Sequence, residues 1–321
     1  MRRREVIALL GGAAAGWPLG ARAQQAKLPT IGILLTGNPA PEVFLTGFRE
    51  GLREAGYVEG RNIRVEVRSA EGQAALLPEK AAELVRLKVD IIVTSLTPAA
   101  QAAKNATSDI PIVMAPAGDP VATGLIASLA RPGGNLTGLS AASAELTGKS
   151  LELIREVIPS ARRVAALANE ADPFSVPFLA QIGEGTRKLG MEMVRVMTRP
   201  SAPLEPAFET MSSRKVEALM VQGTLQNKEL FDLAIKHRLP SFSSNQQVAR
   251  SGGLMTYSGS VAEMHREAAR FVDKILNGRK PADLPVQMST KFTLVINLKT
   301  AQALGLVISP TLLTRADEVI E

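Results

Sequence analysis

Short apolar runs alternate with amphipathic segments along most of the chain. Ile31 to Thr36 is free of charge and predicts a buried strand. Glu42 to Ala55 carries Val43, Leu45, Phe48 and Leu52 at helical spacing, and Gly56 stands where a helix C-terminus takes a left-handed residue. Ile63, Val65 and Val67 alternate with charged residues, the period of a half-exposed strand. The pattern then predicts a helix over 76–87, a strand over 90–94, an alanine-rich helix over 98–106 and a strand over 112–114. Asp119-Pro120 has the form of an N-cap followed by a proline at the first helical position, which predicts a helix running to about Ala130. Arg131-Pro132-Gly133-Gly134 ends it, and Asn135 to Ser140 is extended.

The alternation then restarts. Helices are predicted over 149–157, 177–189, 204–213 and 228–237, and strands over 164–168, 191–197, 218–221, 240–243 and 253–256. A long helix over 261–276, a proline-containing segment over 278–285, a strand over 292–296 and a short helix over 298–304 complete the reading. Repeated strand-helix units imply parallel sheets with helices on both faces. The expected fold class is α/β, with two doubly wound parallel-sheet lobes joined by a hinge.

Loops after successive parallel strands converge on one crevice. In the first series these are Thr36-Gly37-Asn38, Ser95-Leu96-Thr97 and Ala117-Gly118-Asp119; in the second they are Asn169-Glu170, Gly223-Thr224, Ser243-Ser244 and Thr256-Tyr257. The candidate ligand-binding residues are therefore Thr36, Gly37, Asn38, Ser95, Leu96, Thr97, Ala117, Gly118, Asp119, Asn169, Gly223, Thr224, Ser243 and Tyr257. Most are small or hydroxylated, and Thr97-Pro98 begins a helix whose amides suit a carboxylate. The same residue types also build ordinary turns and caps. Capping is the main role expected of Asp119, with contact to a ligand cation as the alternative. Tyr257, one of two tyrosines, is a candidate for stacking on a ligand.

Catalysis is poorly provided for. His237 and His265 fall in helices among charged neighbours and read as solvated surface residues. No H-E-x-x-H, cysteine cluster or G-x-S-x-G is present, and the glycines at 118, 124, 133 and 134 lack dinucleotide or P-loop spacing. An enzyme, a metal site and a cofactor are not expected.

The stretch GDPVATGLIASLARPGGNLTGLS, Gly118 to Ser140, closely resembles the signature of the ABC-transporter substrate-binding proteins of the tryptophan/tyrosine-type family. RFVDKILNGRKPADLPV (Arg270 to Val286), TKFTLVINLKTAQALGL (Thr290 to Leu306) and ADEVIE (Ala316 to Glu321) agree with it. The resemblance implies a type I periplasmic-binding fold whose two lobes close on a small-molecule solute, such as an aromatic amino acid or related organic acid. It also implies a permease in the inner membrane as partner, a monomer, and three crossings between lobes near Ser140, Tyr257 and Pro285. The expected division is 28–140 with about 258–285 in one lobe, and 141–257 with about 286–321 in the other. A periplasmic sensory subunit serving a signalling receptor is the alternative. Where family members commonly read SYG, this chain has Thr256-Tyr257-Ser258.

Met1 to Ala23 reads as a cleavable export signal, with Arg2, Arg3 and Arg4, an apolar run from Val6 to Ala15, and Ala21-Arg22-Ala23 as the cleavage site. Arg3-Arg4 ahead of Val6-Ile7 resembles a twin-arginine signal, with general secretion as the other route. The apolar run is shorter than the roughly 20 residues of a membrane span. Cleavage leaves 298 of 321 residues, enough for two ordinary domains, and lowers the formal net charge from +6 to +3. Much of the basicity therefore belongs to the signal, and with no basic arm ahead of the first strand, nucleic acid is not an expected partner. The absence of cysteine excludes disulfides and a lipid-anchored cysteine.

Overall fold

In the computed structural model, which describes residues 28–37, 41–141, 144–225 and 227–321, the first series of elements is β1 (Thr30–Leu35), α1 (Pro41–Glu54), β2 (Arg64–Ser69), α2 (Leu77–Arg86), β3 (Ile91–Ser95), α3 (Thr97–Ala106), β4 (Ile112–Ala117) and β5 (Leu136–Ser140). The second is α4 (Ala144–Val157), β6 (Arg163–Asn169), α5 (Ser175–Lys188), β7 (Glu192–Thr198), α6 (Glu205–Ser213), β8 (Ala218–Val221), α7 (Lys228–Lys236), β9 (Ser241–Ser243), α8 (Gln247–Arg250) and β10 (Met255–Gly259). The chain ends through α9 (Val261–Leu276), β11 (Gln287–Met288), β12 (Phe292–Asn297), α10 (Leu298–Leu304), α11 (Pro310–Thr314) and β13 (Glu318–Ile320). The segment over 1–23, predicted as an export signal, and Asn38 lie outside the described residues.

Among the described residues the strands form two sheets. One has the order β11-β5-β4-β3-β1-β2, with every pair parallel. The other has the order β13-β12-β10-β9-β8-β6-β7 and is parallel except where β10 meets β12. Alternation along β1 explains the two-faced packing of the first sheet. Ile31, Ile33 and Leu35 join the α1 and α9 residues Phe44, Phe48, Phe271 and Val272 on one face. Leu34 joins the α2 and α3 residues Leu77, Leu84, Ala99 and Ala103 on the other. The second sheet is covered in the same way, by α4 and α5 on one face and α6 and α7 on the other. The α/β class with two doubly wound lobes is borne out. The antiparallel β10–β12 pair, α8, α11 and β13 were not anticipated.

The predicted helix over 120–130 does not form. Thr123 N donates to Asp119 O at 3.0 Å, closing a single turn, and Gly124 then takes φ 72°. Lys104 Nζ donates to the carbonyls of Gly124 (2.7 Å) and Leu125 (3.1 Å), oxygens that a helix would need for itself. Leu125 and Ile126 are buried against the α2–α3 face of the first sheet. Their spacing reflects contact with that face from a loop, not helical periodicity.

The chain changes sheet three times, after Ser140, after Gly259, and between Met288 and Phe292. The later two changes fall a few residues beyond Tyr257 and Pro285. β10 runs through Gly259 to complete its ladder with β12, and β11 pairs with β5 before the chain leaves the first sheet. The crossing before α9 delivers this helix to the first lobe, where it packs along α1. A Cβ at Gly51 would lie 2.3 Å from the Arg266 carbonyl oxygen and 2.8 Å from Ala269 Cβ. Backbone stands in the way, so little relaxation is available. Ala favours helix over Gly by roughly 1 kcal/mol, yet Gly51→Ala is expected to lower stability by about 1–3 kcal/mol through overpacking. Urea unfolding checks this, and an unchanged or raised midpoint would contradict the close α1–α9 contact.

Candidate functional site

A cleft of about 810 Å³ lies between the lobes, lined by residues that follow β1, β2, β3 and β4 on one side and β6, β7, β8, β9 and β10 on the other. This is the carboxyl end of each parallel sheet, where open α/β sheets bind ligands, and the volume suits a small molecule.

On the first lobe, hydroxyls knit the loops together. Thr36 Oγ1 donates to Ser95 O at 2.9 Å and accepts Ala99 N at 3.2 Å. Gly118 N donates to Thr97 Oγ1 at 2.9 Å. Thr36 and Thr97 are thereby held as braces, and both border the cleft with Ser95 and Leu96. Leu96 sits at φ 70°, ψ 163°, a backbone conformation that costs of order 1–3 kcal/mol for a residue with a Cβ. It turns the chain from β3 into the N-terminus of α3 at the cleft edge.

On the second lobe, the turn after β6 carries a buried carboxylate. Asp172 is 3% exposed; its Oδ1 accepts Phe174 N at 2.9 Å and its Oδ2 accepts the Thr224 hydroxyl at 2.9 Å. Asn169 Nδ2 in turn donates to Thr224 Oγ1 at 3.2 Å. Burial holds the Asp172 carboxyl above the usual aspartate range, against the smaller opposing pulls of Phe174 N, Thr224 and Gln222. All of these partners are neutral. Farther out, Arg199 and Glu170 pair at 2.9 Å on the exposed rim.

The remaining wall is apolar and comes from helices. Val43 and Phe44 of α1 and Met264 and His265 of α9 line it. The His265 ring stands 4.6 Å from the Phe44 ring, tilted by 54°. His265 is 5% exposed, and burial pushes its imidazole down to about 4, against a weaker pull from the Val43 backbone. Its reading as a solvated surface residue is corrected, because the charged neighbours Glu263, Arg266 and Glu267 occupy the other faces of α9. His237 is half-buried, beside Phe208 and within 3.2 Å of Ser212 Oγ.

Of the candidates named from sequence, Thr36, Gly37, Ser95, Leu96, Thr97, Gly118, Asn169, Gly223 and Thr224 border the cleft. Four others do not. Ala117 is buried in the first-lobe core because β4 continues through it. Ser243 turns inward, donating to Val221 O at 2.8 Å, and Ser244 borders the cleft instead. Tyr257 packs against the second-lobe core, its ring 5.8 Å from Phe292, because the next-but-one residue, Gly259, is the part of β10 that reaches the cleft. Asp119 lies outside the lining; its Oδ1 accepts Ala122 N at 3.0 Å, capping the single turn, and its Oδ2 accepts Gln181 Nε2 at 3.2 Å from the other lobe. Asp172, Phe174, Phe44 and His265 were missed. Asp172 and Phe174 follow β6 in the same loop as Asn169, so continuing that loop reading would have reached them. Phe44 and His265 are helix residues, which a search of strand-end loops passes over.

Asp119–Gln181 is a contact across the mouth. Phe174 makes another, its ring lying against Gly118 so closely that a Cβ there would be 2.7 Å from it. These contacts are those of lobes in a closed arrangement. Two α/β lobes shut on a small-molecule cleft define a solute-binding protein of the type I periplasmic-binding class. Residues 33–320 match the family described as ABC transporter substrate binding protein, and the chain belongs to that family, whose members capture solutes and are not enzymes.

The chain is 28% identical over 285 residues to a tyrosine-binding protein of Clostridioides difficile, covering 87% of this chain and 82% of that one. A structure from Streptococcus pneumoniae in complex with L-Trp matches with a TM-score of 0.85 and 26% identity, covering 91% of this chain and 100% of the other. A ligand-free, open substrate-binding protein from Clostridium difficile, also 26% identical and covering 91% and 99% of the two chains, gives a TM-score of 0.68. At equal identity the whole chain superposes better on the ligand-bound relative than on the open one, in keeping with the contacts at Gly118 and Asp119.

Gly118→Ala puts a methyl group where the Phe174 ring closes and should hold the lobes apart. Small-angle scattering of this variant is expected to stay extended under ligand conditions that compact the wild type, with the melting temperature little changed. Equal compaction of the two proteins would show that this contact does not limit closure.

Proposed function

We propose that the protein is the exported receptor of an ABC importer, closing on an aromatic amino acid or related small organic acid and presenting the closed form to a membrane permease. The observation that carries the reading is Asp172, a carboxylate set in the cleft wall with neutral partners throughout. A buried carboxylate of this kind calls for a cation, and an amino group supplies one with charge-assisted hydrogen bonds. The α3 N-terminus and the Ser95 hydroxyl suit the carboxylate end of the same solute. Val43, Phe44, Met264 and Phe174 suit its apolar end. The relatives that bind tyrosine and tryptophan support the same choice. The lobes turn about the three crossings, and the solute shifts the balance by binding the closed form better than the open one. Among the described residues no helix is long and apolar enough to cross a membrane.

Calorimetric titration with L-tyrosine, L-tryptophan and L-phenylalanine tests the solute class. Asp172→Asn is expected to weaken binding at least about tenfold. The same change should leave the ligand-free protein as stable or more so. With its folded pKa raised, the ionised carboxyl costs stability at every pH above that value, and Asn removes the cost. Full affinity in the Asn variant would remove Asp172 from the amino-group role.

Export is the second part of the reading. Material recovered from the periplasm should begin after Ala23, as N-terminal sequencing would record. An N-terminus still at Met1 would contradict it.

A further inference from the structure

We propose that His265 reads the ring of the bound solute, exchanging a hydrogen bond with a polar group on that ring and so selecting aromatic amino acids that carry an O–H or N–H over those that carry none. This deepens the reading above and rests on it. The cleft divides its chemistry by element. Strand-end loops supply the polar groups suited to an amino acid's two charged ends, around Ser95 and Asp172. Helices α1 and α9 supply the wall of Val43, Phe44 and Met264, and His265 is the polar side chain set among these apolar ones.

Its setting is costly without a partner. The ring is packed 4.6 Å from Phe44, His265 is 5% exposed, and Nδ1 is buried with no hydrogen-bond partner among the described residues. An unpaired buried nitrogen is destabilising, and a solute that satisfies the imidazole offsets that cost. Near neutral pH the ring is uncharged, so one nitrogen donates and the other accepts. The ring donates to the Val43 backbone, which leaves the unpartnered Nδ1 as the acceptor for a phenolic O–H or an indole N–H. A plain phenyl ring offers no donor and leaves Nδ1 buried and unpaired. Sites built to pair with a hydroxyl discriminate strongly against the analogue that lacks it.

The test compares L-tyrosine with L-phenylalanine by titration calorimetry on the wild type, His265→Phe and His265→Gln. His265→Phe keeps an aromatic ring against Phe44 and removes both nitrogens; His265→Leu replaces it if the Phe variant does not fold. The wild type is expected to prefer L-tyrosine at least about tenfold. His265→Phe should bring the two affinities together by weakening L-tyrosine, with L-phenylalanine held or improved, and His265→Gln should restore part of the preference. A preference unchanged in His265→Phe, or absent from the wild type while both amino acids bind, overturns the role of His265 and leaves the proposed function standing. Failure of the wild type to bind any aromatic amino acid overturns both.

Discussion

The turn from Asn169 to Ser175 joins a buried carboxylate to the contact between the lobes. Its Asp172 is a carboxylate taken out of water, and an ion so placed is tolerable only when its oxygens are satisfied. Phe174 N and the Thr224 hydroxyl do part of this, and Phe174 N is held in place by the bond it makes. The same residue turns its ring onto Gly118 of the other lobe. The backbone that serves the carboxylate therefore also sets the ring that closes the mouth. On the proposed reading, a cation at Asp172 would stabilise the loop geometry in which Phe174 meets Gly118, so that solute capture and lobe contact favour one arrangement.

Rigid and adaptable parts of the cleft are separated accordingly. On the first lobe, Thr36 and Thr97 spend their hydroxyls on neighbouring backbone and brace a strained Leu96 at the head of α3. The strain persists because surrounding hydrogen bonds over-determine it. On the second lobe the polar groups share one network from Asn169 through Thr224 to Asp172. The helix wall of Phe44 and His265 is fixed by the packing of α9 along α1, with Arg266 bridging to Glu50 at 2.7 Å and Glu54 at 3.2 Å on the outer surface. Those ion pairs are exposed and add little; burial of Phe48, Phe271 and Val272 holds the pair together. A helix from the late part of the chain thus completes the first lobe and brings His265 to the cleft wall.

Local pattern made most of the architecture legible. Apolar runs of strand length and helical spacings such as Val43, Leu45, Phe48 and Leu52 report which face of an element meets a core, and that is a local property. The loops after β1, β3, β6 and β8 were legible as cleft residues for the same reason, since strand ends in parallel sheets point one way. The segment after Asp119 misled because its apolar residues were spaced for a helix, while Lys104, distant in sequence, binds the carbonyls that a helix would use. Ser243 misled by one residue, since side chains in a strand alternate faces, and Tyr257 misled because β10 runs two residues further, to Gly259, before it reaches the cleft.

By itself, then, the sequence determined the two alternating series, the doubly wound class and, through the resemblance of Gly118 to Ser140, the family. The tertiary structure alone decided that β10 and β12 pair antiparallel, that α9 packs along α1, and that Asp119 meets Gln181 across the mouth. It also decided that His265, flanked by charges in sequence, is buried against Phe44. Each of these depends on contact between residues far apart in the chain, and the desolvation that makes Asp172 and His265 distinctive arises only when the elements that bury them have assembled.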